Sequence, residues 1–266
     1  MRRLRSSALV LLACAAAGCG SAADANHATA PHPHCFRAAG HQEVAGELVD
    51  IPAKLPKRPP LLVVFHGLRE SVSYMSGETG FDDVAARNRF VVAYPNAVRA
   101  QKWQLNHSDG DEDVDHMRSF VDKVVKSVCA DPTRVYLTGF SNGAGFAYRA
   151  GCELVGKVAA IAPVSGSYRS HDPCDAGPMP TLEIHGRDPW TKTVPRLIAE
   201  TKRRNACTQA PVASRIAHGI RRTRWPGCNL ERIYNSTIGH EWPKLGPYNT
   251  SVEVWRFVSR FSTRGS

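Results

Sequence analysis

Five short, mainly apolar segments lack regular polar alternation: Leu61 to His66 (LLVVFH), Phe90 to Pro95 (FVVAYP), Arg134 to Phe140 (RVYLTGF), Val158 to Gly166 (VAAIAPVSG) and Thr181 to Gly186 (TLEIHG). Runs of this length without polar alternation are expected of strands covered on both faces. Between them, Val114, Met117, Val121, Val124, Val125 and Val128 recur at helical spacing, which predicts an amphipathic helix over Asp113 to Cys129, ended by Asp131-Pro132. A last strand, LERIYNST, and a helix from about Ser251, SVEVWRFVSRF, follow. Strands alternating with helices predict an α/β domain with a mostly parallel central sheet and helices on both faces. Ligands of such sheets bind beyond the carboxyl ends of the strands.

The amino terminus has a different pattern. MRRLRSSALVLLACAAAGC places Arg2, Arg3 and Arg5 before an apolar run too short to span a bilayer, then small residues, the layout of an export signal. Ala16-Ala17-Gly18-Cys19 resembles a lipobox, which implies cleavage before Cys19, lipidation of its thiol and membrane association at the cell envelope; without lipidation the chain is secreted. Residues 20–33 are small, polar and proline-bearing, too poor in apolar groups to pack. The expected organisation is therefore a signal over residues 1–18, a tether over 19–34 and one catalytic domain over 35–266. His27, His32, His34 and His41 are read as ordinary tether residues, and no metal or other cofactor is expected.

Beyond Cys19 six cysteines remain, an even number in an exported chain, where disulfides are the expected fate. Short spacing favours Cys152 with Cys174 and Cys207 with Cys228, leaving Cys35 with Cys129. Without Arg2, Arg3 and Arg5 the 34 basic residues become 31 against 24 acids, a formal charge of about +7. Much of it lies between Arg196 and Arg224 and reads as a solvated face; the basic residues are not interleaved with stacking aromatics, so no nucleic-acid partner is expected. The chain is expected to be a monomer.

The candidate chemistry sits at the third apolar run. Gly139-Phe140-Ser141-Asn142-Gly143 fits G-x-S-x-G, in which glycines let a strand turn sharply into a helix and lift the serine oxygen into the cleft. A serine hydroxyl needs a base, and the base an acid that fixes its tautomer. Asp188 follows the strand TLEIHG and His240 follows LERIYNST, so both should open onto the edge that bears Ser141. His218 precedes the last strand and is set aside; Asp172 and Asp175 lie before the strand that should present the acid. The backbone N–H groups of Asn142 and Leu68 are the expected oxyanion donors, with His66 structural. Trp103, Trp190 and Trp242 are candidates to line the substrate cleft.

LLVVFHG, DPTRVYLTGFSNGAGFAYRAGCEL, VAAIAPVSG, IHGRD and GHEWP together resemble the polyhydroxybutyrate depolymerase and feruloyl esterase group of secreted α/β-hydrolases, related to carbohydrate esterase family one. The resemblance covers about Val44 to Phe261. It implies an α/β-hydrolase fold without a large lid and a serine esterase with Ser141 as nucleophile, Asp188 as acid and His240 as base. The substrate class implied is small-molecule or polymeric: feruloyl or acetyl carbohydrate, short acyl or polyhydroxyalkanoate esters. Two departures from the family pattern stand out: His185-Gly186-Arg187-Asp188 is one residue shorter than expected, and Asn142 stands where Ala is common. The alternatives are an acyltransferase that delivers acyl groups to envelope carbohydrate, and a surface binding protein that keeps the scaffold without activity.

Overall fold

The computed structural model describes residues 35, 38–166, 174, 176–244 and 248–264, within the unit Pro33–Ser266. The expectations for the signal, Cys19, the tether histidines 27, 32 and 34, and Asp172 and Asp175 lie outside the described residues.

Six strands are parallel neighbours at the centre: β3 (Leu61–Phe65), β4 (Val91–Tyr94), β5 (Val135–Phe140), β6 (Ala160–Val164), β7 (Thr181–His185) and β10 (Leu230–Asn235). The first five are the apolar runs read from the sequence, and every one of their residues is buried. Two antiparallel hairpins complete the sheet: β1 (Gly40–Val44) with β2 (Glu47–Ile51) at one edge, and β8 (Val212–Ala217) with β9 (Ile220–Trp225) at the other. The strand order is β1-β2-β4-β3-β5-β6-β7-β10-β9-β8, an α/β-hydrolase arrangement.

Apolar residues of alternate register fill two cores, one on each face of the sheet. On one face the buried stripe of α3 (Glu112–Val128), comprising Val114, Met117, Phe120, Val121, Val124 and Val128, packs with α4 (Asn142–Glu153) over Leu61, Val63 and Phe65. On the other, α1 (Val72–Thr79), α2 (Phe81–Asn88) and α6 (Thr250–Val258) cover Leu62, Val64, Val92 and Ile184. Full burial of each such side chain stabilises by about 1.5–3 kcal/mol, enough in aggregate to fix which strand ends meet. α5 (Val194–Arg204) follows β7 and carries Pro195 in its first turn, where a missing N–H costs nothing.

Three disulfides close the chain, Cys35–Cys129, Cys152–Cys174 and Cys207–Cys228; short spacing favours the last two and leaves the first. Cys152 lies in the last turn of α4, Cys207 follows α5 and Cys228 precedes β10, so the two short loops lie toward the amino ends of the central strands, away from the edge that bears Ser141. Among the described residues no helix is long and apolar enough to cross a membrane.

Candidate active site

Ser141 sits at the turn from β5 into α4 with φ +54° and ψ −112°, a backbone conformation that costs a non-glycine residue on the order of 1–3 kcal/mol. Its neighbours make the turn possible. A Cβ on Gly139 would come within 2.7 Å of the Gly143 backbone, and one on Gly143 within 2.4 Å of the Phe65 and His66 carbonyl oxygens. The two glycines are thus fixed by close backbone approach, and the strained serine between them points its oxygen outward.

His240, in the loop after β10, brings Nε2 to 2.9 Å from Ser141 Oγ. Its Nδ1 lies 3.3 Å from Asp188 Oδ2. Asp188 follows β7 and its carboxylate is almost wholly buried. Oδ1 accepts the N–H groups of Trp190 at 2.8 Å and Thr191 at 3.1 Å, so the acid doubles as the cap of the short 3₁₀ turn Pro189–Thr193. This leaves Oδ2 for the imidazole. Phe140 packs its ring 4.9 Å from that of His240. His218 lies at the β8–β9 turn, where Arg215 is 3.4 Å from its Nδ1, and lines a separate cavity with Arg215, Arg221 and Tyr234 that contains none of these three residues.

A third layer lies behind the acid, which sequence reasoning did not single out. His185 Nε2 stands 3.4 Å from Asp188 Oδ1, its Nδ1 bonds Glu183, and Arg232 Nε donates to Glu183 Oε2 at 3.0 Å. Glu183, His185 and Asp188 are each about 1% exposed. Alternation along β7 carries the first two to the same face, and that spacing, Glu-x-His-x-x-Asp, was the available signal.

The loop after β3 is organised by His66. Ala97 N–H can only donate, so His66 Nε2, 3.3 Å away, accepts, and Nδ1 carries the proton donated to Gly67 O at 2.7 Å. Burial pushes this imidazole below its ordinary range, against the opposing pull of Gly67 O, Asp113 and Glu47, consistent with a neutral ring. Because a trans peptide sets C=O and N–H on opposite sides, locking Gly67 O toward His66 turns the Leu68 N–H the other way. Glu70 holds the Gly67 N–H at 2.8 Å. Burial raises the Glu70 carboxyl, offset by that N–H and by His240. Asn142 is fixed as well: its Oδ1 accepts Trp103 N–H at 2.7 Å and its amide donates to Trp103 O at 3.3 Å.

Over Ser141 opens a cavity of about 400 Å³ whose lining includes Leu68, Lys102, Leu105, Asn106, Asn142 and Trp190, within the usual range of small-ligand sites. The three candidate tryptophans therefore separate. Trp190 lines this cavity. Trp103 does not: it is fully buried, stacked on Phe146 at 4.7 Å, with Nε1 donating to His66 O at 2.9 Å. Trp242 is likewise buried, packed on Phe81 with Nε1 donating to Ser251 Oγ at 3.1 Å. Both expectations are corrected for one reason. An indole whose N–H finds an internal partner can sink into the core, and a sequence reading does not show that partner.

Lys102, Leu105 and Asn106 come from the segment between β4 and α3, which folds over the cleft around Arg149 of α4. This guanidinium is 2% exposed and donates to the carbonyls of Gln104, Asn106 and Gly110 at 3.1, 3.0 and 2.8 Å, to Glu153 at 2.7 Å, and to Asp111. His107, Asp111 and Glu153 bring potential metal ligands within 4.8 Å of one another. Arg149 already supplies the positive charge there.

Fold and site together define the class: an α/β-hydrolase carrying a serine–histidine–aspartate arrangement at the carboxyl edge of its sheet. Residues 47–173 match the esterase PHB depolymerase family. The chain is 31% identical over 191 residues to a probable feruloyl esterase C of Aspergillus terreus, covering 68% of each chain. It belongs to this family of esterases. It is also 32% identical over 136 residues to the bifunctional acetylxylan esterase/xylanase XynS20E of Neocallimastix patriciarum, and 30% identical over 140 residues to feruloyl esterase B of Piromyces equi. Those alignments take in 51% and 49% of this chain but only 20% and 26% of the relatives, so the chain spans a minor part of their length. In fold it is similar to the acetyl xylan esterase from Aspergillus awamori, with a TM-score of 0.62 at 16% identity over 79% of this chain and 93% of that one.

Proposed function

We propose that the protein is an exported serine esterase that hydrolyses carboxylic esters through an acyl-enzyme, with Ser141 as nucleophile, His240 as general base and acid, and Asp188 as the residue that holds the imidazole. The observation that carries this reading is the 2.9 Å approach of His240 Nε2 to Ser141 Oγ, with Asp188 behind the other ring nitrogen. Ser141 Oγ attacks the ester carbonyl carbon as its proton passes to His240 Nε2. Negative charge collects on the carbonyl oxygen, where the Leu68 and Asn142 N–H groups donate. The C–O bond to the alcohol breaks, the alcohol leaves with the proton from His240, and water repeats the sequence to free the acid. Buried Asp188 holds the imidazole in the tautomer that presents a bare Nε2 and stabilises the imidazolium that follows.

The cavity supports an acyl group of modest size against Trp190 and Leu105, with the alcohol part reaching solvent past Lys102. A feruloyl or acetyl ester of a carbohydrate suits these dimensions and agrees with what the relatives' names say of them. Export is supported by the three disulfides and by the Arg-led apolar amino terminus; anchoring through lipidated Cys19 belongs to the same proposal.

Initial rates with p-nitrophenyl acetate and methyl ferulate test the assignment of the acid. Asp188→Asn is expected to lower kcat by at least about a hundredfold on both, because an amide no longer enforces the tautomer. A rate within a few-fold of the unaltered enzyme would remove Asp188 from the mechanism.

A further inference from the structure

On the sheet face covered by α2, pairing of β1 with β2 sets His41 directly opposite Asp50. Alternation puts both on the side of Leu48, whose cross-strand partner is Tyr94. Asp82, in the first turn of α2, comes down on the same spot, and the ligand atoms of His41, Asp50 and Asp82 all lie within 4.8 Å of one another. Asp82 is well supplied with partners: Tyr94 Oη donates to Oδ1 at 2.7 Å, Ser76 Oγ to Oδ2 at 2.9 Å, and His41 Nε2 stands 2.7 Å from Oδ2.

Asp50 differs. It is 7% exposed, and among the described residues no hydrogen-bond donor or ion-pair partner reaches its carboxylate. Burial and the facing Asp82 carboxylate push its carboxyl above the ordinary range, with His41 as the opposing influence. A nearly buried carboxylate set against a second carboxylate is an arrangement that a cation joining the two would stabilise. The neighbouring hairpin offers no guanidinium or ammonium for the purpose, in contrast to the cluster around Arg149.

We propose that His41, Asp50 and Asp82 form a binding site for one divalent first-row transition cation, of which Zn²⁺ is the type, and that the ion ties the β1–β2 hairpin to α2. One imidazole nitrogen with two carboxylate oxygens suits such an ion, whereas Ca²⁺ and Mg²⁺ favour all-oxygen sets. Ligand bonds of about 2.0–2.2 Å fit the cluster after a small opening of the His41–Asp82 pair, with water completing the shell. The site is built from β1, β2 and α2, none of which carries Ser141, Asp188 or His240, so its effect is on stability. In the sequence His41 reads as one more tether histidine; only the register of β1 shows it facing Asp50.

The test uses the mature chain, stripped with a chelator and desalted, then titrated with ZnCl₂ by calorimetry and followed by thermal melting. One tight equivalent is expected, with the melting midpoint raised by about 5–10 °C when free Zn²⁺ exceeds the dissociation constant about a hundredfold. His41→Ala and Asp50→Asn should each weaken binding by at least about tenfold and cancel most of the shift, although both retain His27, His32 and His34. Absence of saturable binding, or binding equally tight in both variants, would overturn the proposal. If Asp50→Asn does not fold, half-exposed His41 decides the matter alone.

Discussion

Ser141→Ala lowers kcat/KM toward p-nitrophenyl acetate by about 10⁴-fold or more and leaves the fold intact. The size of the loss follows from how the site works as a unit: without the hydroxyl, His240 and Asp188 have no nucleophile to activate, and only binding and the oxyanion donors still act. The fold survives because Ser141 contributes no packing that alanine does not, and the positive φ is set by β5, α4 and the close approach of Gly139 and Gly143. Initial rates and a thermal melt on the same sample distinguish this from simple unfolding. A variant that melts normally and retains more than about a hundredth of the activity would place the nucleophile elsewhere.

Arg149→Met destabilises the protein by about 3–5 kcal/mol, read from urea unfolding followed by tryptophan fluorescence. Methionine approximates the length and volume of the aliphatic stem, so packing loss is small. What disappears is a buried charge that satisfies three carbonyl groups and two carboxylates at once, and removing one partner of such a network leaves the rest desolvated and unpaired. The consequence reaches the cleft, because the segment that Arg149 holds contains Leu105 and Asn106 of the cavity lining. KM should therefore rise in conditions where the variant is still folded. A loss under about 1 kcal/mol would mean that the segment over the cleft is held by something else, with Asp113 the first candidate through its bonds to the Val98 and Gln104 N–H groups.

The parallel centre of the sheet was legible because strands buried on both faces need apolar residues at every position, and the five runs between Leu61 and Gly186 have little else. Helix α3 was legible for the complementary reason, one apolar stripe in a charged segment. The edge hairpins were not. β8 is exposed along most of its length, and β9 buries Arg222 against Glu253 and Glu231, so the segment from Val212 to Trp225 reads as solvated and basic rather than as sheet. The β1–β2 hairpin turns on Ala45-Gly46, both at positive φ, too weak a turn signal beside a polar first strand.

At the site, Ser141, Asp188 and His240 could be proposed together because each follows a segment read as a strand, and the carboxyl ends of neighbouring parallel strands must meet. The cavity wall could not be read in the same way. Arg149 stands amid the small and aromatic residues of α4, and nothing local says that its guanidinium will collect carbonyls from about forty residues upstream. Trp242 misled because its nearness to His240 along the chain says nothing about which way an indole faces, and Trp103 because its polar surroundings gave no sign that its indole packs on Phe146.

The central claim is that His240, held by Asp188, makes the Ser141 hydroxyl a nucleophile. Exposure of the purified protein to a fluorophosphonate, followed by peptide mass spectrometry, tests it most directly. The account predicts a single stoichiometric adduct on Ser141, formed within minutes and suppressed in His240→Ala. An unmodified Ser141 in folded protein, or an adduct that forms equally fast without His240, would contradict it.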